Sequence, residues 1–134
     1  MARKSRIEPD IADNLPRIKG DRVQIQQVII NLICNAMDAV QQCSSMDDFI
    51  LVSAWRHDNS ARFSVTDSGP GMDRATLTSA FKPFYSTKSH GVGLGLTVCH
   101  SIVSDHGGRI WAESPDDGRG LRAVVSLPAV AQGD

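Results

Sequence analysis

The chain has 134 residues, with 14 Lys and Arg against 15 Asp and Glu, a formal net charge of −1. Hydrophobic residues make up 41% and charged residues 22%, the composition of one folded domain rather than of a disordered chain. The charge balance excludes the basic footprint of a nucleic-acid module and the polybasic pull toward an anionic membrane, and no apolar run approaches the ~18 residues of a bilayer span.

In chain order, Met1–Arg6 is basic and lacks an apolar period, so residues 1–10 read as a linker stub or tail, 11–130 as the folded domain and 131–134 as a C-terminal tail. Leu15–Gly20 reads as a short extended stretch, and Asp21 is placed to cap the helix that follows. From Arg22 to about Gln42, apolar residues recur at three- and four-residue steps: Ile25, Val28/Ile29, Leu32/Ile33, Ala36, Ala39/Val40. The opposite stripe, Gln24, Gln27, Asn31, Asn35 and Asp38, is polar but almost uncharged. A merely solvated face more often carries Lys and Glu, so this one is suited to a polar ligand.

Phe49–Arg56 and Ala61–Thr66 read as two strands of a hairpin with the turn His57-Asp-Asn-Ser60. After a Gly/Pro turn at Asp67–Gly71, a short helix is expected from about Asp73 to Ala80 and a long loop from Lys82 to Gly93. Leu94–His106 reads as a helix stopped by Gly107-Gly108, and Arg109–Glu113 and Leu121–Leu127 as the last two strands. Helices mixed with mostly antiparallel strands predict an α+β fold, a two-layer sandwich with the helices on one face of the sheet. Cys34, Cys43 and Cys99 lack CxxC spacing and a His partner at ligand spacing, which points to reduced thiols in a cytoplasmic protein.

Four segments carry chemistry. In Asp67-Ser-Gly-Pro-Gly71 a strand delivers a carboxylate to its own end, and two glycines let the backbone approach a ligand. A carboxylate there accepts from an exocyclic amino group, which fits adenine and not the guanine carbonyl; equally, the pentapeptide is an ordinary Asp-led turn. Gly91-Val-Gly-Leu-Gly95-Leu96 opens a helix, whose free N–H groups and dipole suit phosphate, although GxGxG alone is a weak signal. Asn31 and Asn35 stand one turn apart on the polar stripe; amide oxygens are hard ligands of the kind Mg²⁺ takes, and Asn side chains also serve as backbone caps. Phe81–Lys88 holds two Phe that can anchor a loop and Ser86, Thr87 and Lys88 that can reach phosphates, as a lid or as a packed loop.

The order and spacing of these segments resemble the ATP-binding catalytic domain of sensor histidine kinases, within the GHKL superfamily and its Bergerat-type sandwich. Gln27–Ala39 is similar to the family's N box, Asp67–Gly71 to the first glycine box, Phe81–Phe84 to the F box, Gly91–Leu96 to the second glycine box and Gly118-Arg-Gly120 to the last. Phe84-Tyr-Ser-Thr-Lys88 and Asp105-His-Gly-Gly-Arg-Ile110 further resemble the oxygen-sensing and nitrogen-regulatory branch. The resemblance implies Mg-ATP as the ligand of residues 11–130, with Asn35 on Mg²⁺, Asn31 and Asp38 near the phosphates, and Asp67, Gly69 and Gly71 at the adenine. Phe84, Thr87 and Lys88 would belong to the lid, and Gly91, Val92, Gly93, Leu94, Gly95 and Leu96 would wrap the phosphates.

Two departures shape the expected activity. Family members that hydrolyse ATP carry a Glu one turn before the metal-binding Asn, and Asn31 stands there instead. Many histidine kinases carry a basic residue where this chain has Asp38. His57, His90, His100 and His106 are followed by Asp, Gly, Ser and Gly, none in the setting of the family's phosphorylated His. The expectation is a domain that presents ATP to a histidine on a separate dimerisation domain of the same full-length protein, which then serves a response regulator. The alternatives are a stand-alone serine kinase of the anti-sigma-factor type and a binding-only module.

Overall fold

The computed structural model describes residues 6–42, 48–71, 92–115 and 120–130. A mixed five-stranded sheet has the order β1-β2-β3-β5-β4, built from β1 (Arg6–Ile11), β2 (Phe49–His57), β3 (Ser60–Asp67), β4 (Arg109–Glu113) and β5 (Leu121–Pro128). Two helices, α1 (Arg22–Gln42) and α2 (Val92–Asp105), pack on each other and on one face of the sheet. The architecture is the predicted two-layer α+β sandwich.

Each element follows from local chemistry. Asp21 caps α1: its Oδ1 accepts from the backbone N–H of Val23 at 2.9 Å and of Gln24 at 3.1 Å. The β2–β3 hairpin turns on two residues, Asp58 and Asn59, with Asp58 at φ 51°. This turn is tighter than the expected His57–Ser60, because an Asp tolerates the left-handed region and the strands pair up to His57 and Ser60. α2 ends where Gly107, at φ +75°, sends its N–H to Ser104 O (3.0 Å) and the next N–H returns to Val103 O (2.9 Å).

Two expectations are corrected. Residues 6–10 are not a tail: Arg6–Ile11 forms an edge strand parallel to β2, with Arg6 opposite Phe49 and Ile11 opposite Ala54. Pro9 is admissible there because an edge strand leaves one side of its ladder unpaired. α2 also begins at Val92 rather than Leu94, so Gly93 lies inside the helix; first-turn N–H groups have no intrahelical partner, so glycine disrupts little there. The helix expected from Asp73 to Ala80 lies outside the described residues.

The core sits between the sheet and the helices. α1 contributes Val28, Leu32, Ala36 and Val40, α2 contributes Cys99, Ile102 and Val103, and the sheet contributes Ile50, Val65, Ala123, Val125 and Leu127. Each fully buried aliphatic side chain is worth about 1.5–3 kcal/mol relative to exposure. His106 ties the two helices together: its Nε2 accepts from the Asp21 N–H at 3.1 Å while Nδ1 faces Ile102 O at 2.7 Å, so the Nδ1–H tautomer serves both bonds. Gly20 makes room for the ring, since a Cβ there would lie 2.5 Å from His106 Cδ2.

Candidate nucleotide site

β3 carries Asp67 to the end of the sheet, where it is 3% exposed. Its Oδ1 accepts from the Gly69 N–H at 2.8 Å, closing an Asx turn that fixes the carboxylate. Ser68, 1% exposed, is bound to the start of β2 twice: its N–H donates to Phe49 O at 3.2 Å, and its Oγ accepts from the Phe49 N–H at 2.9 Å. The carboxylate therefore sits at a defined place rather than on a loose turn.

Glycines let three distant segments close around it. A Cβ at Gly69 would lie 2.9 Å from the carbonyl carbon, Cβ and O of Ala39, so only glycine lets the turn rest against α1. Gly71 (φ +75°) faces the carbonyl of Gly120, and Gly120 (φ +82°) is pressed onto the carbonyl of Asp67. Ala39 follows Asn35 by one helical turn and Asn31 by two, so the Asp67 turn docks at the end of the polar stripe.

On that stripe Asn31 and Asn35 are half-buried, and Asp38 is exposed. Asn31 Nδ2 reaches Cys99 Sγ on α2 at 3.8 Å, and the thiol in turn faces Val28 O at 3.9 Å. Burial pushes the Cys99 thiol up from its ordinary value, so it stays a neutral packing group here. Asn35 Nδ2 is buried and has no hydrogen-bond partner among the described residues. An unmet buried donor costs about 1–3 kcal/mol, so Asn35 is a group open to an acceptor from outside the described residues.

Among the described residues no group of three or more His, Cys, Asp or Glu is placed to hold a metal ion. The amide oxygen of Asn35 is the kind of donor that suits a hard cation drawing its other ligands from water and phosphate. Gly93, Leu94, Gly95 and Leu96 lie in the first turns of α2 with Val92 as its first residue. Phe84, Thr87, Lys88 and Gly91 lie outside the described residues. Three participants were not legible as such in the sequence: Ala39, which seats Gly69; Ser68, which locks the turn; and Cys99, which meets Asn31. Each depends on contacts between elements distant in the chain.

Residues 20–131 match the family described as histidine kinase-, DNA gyrase B- and HSP90-like ATPase. The chain belongs to this family. The solved catalytic domain of the histidine kinase ThkA superimposes with a TM-score of 0.78 at 32% identity, over 92% of this chain and 78% of that one. Among curated relatives, the sensor histidine kinase TmoS of Ectopseudomonas mendocina is 41% identical over 118 residues, which are 87% of this chain and 12% of that protein. The sensor protein FixL of Bradyrhizobium diazoefficiens is 38% identical over 112 residues, 84% of this chain and 22% of that protein. ThkA in complex with the response regulator TrrA matches with a TM-score of 0.74 at 28% identity, over 96% of this chain and 35% of that one. This is a catalytic ATPase domain of the sensor histidine kinase kind, and it spans only a minor part of the length of those curated relatives. As an ATPase-family domain it binds ATP, and none of its described helices is long and apolar enough to cross a membrane.

Proposed function

We propose that this catalytic domain binds Mg-ATP between α1, the Asp67 turn and the start of α2, and donates the γ-phosphate to a histidine on a separate dimerisation domain of its full-length protein. The observation that carries the reading is the Asp67 carboxylate, buried and fixed by the Gly69 N–H, on a turn that rests against Ala39, one helical turn beyond Asn35. In this reading Asp67 accepts from the adenine amino group, while Gly69 and Gly71 shape the pocket beside it. Asn35 offers its amide oxygen to Mg²⁺ and its unpartnered N–H to a phosphate oxygen, with Asn31 and Asp38 alongside. The backbone N–H groups of Gly93, Leu94 and Gly95 meet phosphate at a helix start, with Val92 and Leu96 flanking them. Phe84, Thr87 and Lys88 belong to the proposed lid, and Gly91 to the proposed phosphate wrap.

Bound Mg²⁺ supplies charge neutralisation at the phosphates. The chain's part is positioning, and the amide at Asn31 offers no base to activate water, which favours transfer to a protein acceptor over hydrolysis. His57 lies at an exposed hairpin end beside Asp58, and His106 is engaged between the helices, so neither is the acceptor in this reading. The complex of the relative ThkA with a response regulator supports a response regulator as the downstream partner. A cytoplasmic location goes with ATP as the substrate.

Calorimetric titration with ATP and GTP, each with and without Mg²⁺, tests the site. Saturable ATP binding that excludes GTP and strengthens with Mg²⁺ is expected; equal binding of GTP, or no binding, overturns it.

A further inference from the structure

Where α1 and α2 pack together, one core position carries sulfur instead of hydrocarbon. Cys99 of α2 is 0% exposed, in the same cluster as Val28 and Leu32 of α1 and Ile102 and Val103 of α2. Its Sγ lies 3.8 Å from Asn31 Nδ2 and 3.9 Å from Val28 O, so a single α2 side chain touches α1 at two places within one helical turn. Both contacts are long, as the size of sulfur makes them, and each is weak alone.

Together they fix an orientation. Burial pushes the thiol up from its ordinary value, so it keeps its hydrogen. That hydrogen is directed to Val28 O, which leaves the sulfur lone pairs for Asn31. A lone pair takes an N–H and not an amide oxygen, so Asn31 presents Nδ2 to α2. Its Oδ1 is then turned away from Cys99 and held as an acceptor. An aliphatic residue at 99 would fill the core equally well but give the amide no partner, and its two ends would exchange freely.

The orientation matters because of the neighbour. Asn35, one turn further along α1, has a buried Nδ2 without a partner among the described residues, which is a donor. Asn31, fixed as it is, sets an acceptor one turn away from that donor. A phosphate oxygen is drawn to the donor and repelled by the acceptor, whereas a water bound to a hard cation has only hydrogens to offer and suits the acceptor.

We propose that Cys99 is a positioning residue of the nucleotide site: it touches no ligand itself, and it holds the Asn31 amide with the oxygen free to take a water of the bound cation. The proposal rests on the Mg-ATP reading of the site.

The test is a double-mutant cycle on the 134-residue chain, comparing the parent, C99V, N31A and the C99V/N31A pair. Two quantities are read. One is the Asn31 side-chain amide signal of the nucleotide-free ¹⁵N-labelled chain, identified by its absence in N31A. The other is the calorimetric dissociation constant for ATP, with and without Mg²⁺. C99V is expected to shift the Asn31 signal and to weaken Mg-ATP binding about threefold, and N31A about tenfold. Once Asn31 is gone, C99V should cost nothing more, and without Mg²⁺ its effect on ATP binding should vanish. If C99V melts far below the parent, C99A repeats the cycle without the added bulk.

The proposal fails if C99V leaves the Asn31 signal in place or binds Mg-ATP as the parent does. It fails equally if C99V weakens N31A as much as it weakens the parent, or acts alike with and without Mg²⁺, since a merely structural cysteine would do both. A parent chain that binds no ATP removes the Mg-ATP reading itself. A C99V shift of the Asn31 signal would then show Cys99 and Asn31 to be a packing pair and nothing more.

Discussion

The two faces of the sheet are made from alternate residues of the same strands, yet they are held in order by different forces. On the helix-covered face Ile50, Val65, Ala123, Val125 and Leu127 are fixed by burial against α1 and α2. On the other face Arg62, Trp111, Arg122 and Glu113 are fixed by cation–π contact and by charged hydrogen bonds, and they stay partly open to water. Burial is worth far more per residue than an exposed polar contact, so stability resides mainly on the first face. The proposed nucleotide site lies at the rim between them, where β3 runs out at Asp67.

This contrast can be broken in graded ways. Leu32→Ala opens the covered side and should cost about 2–5 kcal/mol in denaturant unfolding, as core truncations do. A loss below about 1 kcal/mol would mean that the core is not where the covered face puts it. Asp67→Asn keeps an oxygen for the Gly69 N–H but removes the charge. It should weaken ATP binding by about 1.5–3 kcal/mol, roughly 10- to 150-fold, with the melting temperature nearly unchanged. A matching fall in melting temperature would recast Asp67 as a structural residue. Asp21→Ala removes the cap of α1 and should cost about 1 kcal/mol, read from the shift in urea midpoint. Arg62→Ala on the open face should cost only about 0.5–1 kcal/mol of stability, because the contacts at stake, a cation–π pair with Trp111 and a long hydrogen bond to Ser126 Oγ, are partly exposed. If it rivals Leu32→Ala, the two faces do not differ as described.

How much of this was legible beforehand depends on range along the chain. Asp21 and its helix, the hairpin around Asp58, the Gly107 stop and Asp67 at a strand end are local signals, and all of them stand in the structure. β1 was missed although Ile7, Pro9 and Ile11 alternate with Glu8 and Asp10, because the basic start and Pro9 obscured a period of two. The partners of the site, Ala39 against Gly69 and Cys99 against Asn31, arise from packing between elements dozens of residues apart. The layout of the open face depends on strand register, which fixes Trp111 opposite Val124 and Arg62 opposite Ser126. No window of sequence holds that information.

The glycine contacts around Asp67 carry a thermodynamic consequence. The wall of the proposed nucleotide site is assembled from Ala39, the 67–71 turn and Gly120, three pieces that meet only when α1, β3 and β5 have all docked. An unfolded or half-folded chain has no such wall, so ligand can bind only the finished state. Saturating ATP at a hundred times its dissociation constant should then deepen the native well by about 2.7 kcal/mol. Nucleotide supply then becomes a term in the lifetime of the fold, and in the proposed reading depletion of ATP loosens the domain.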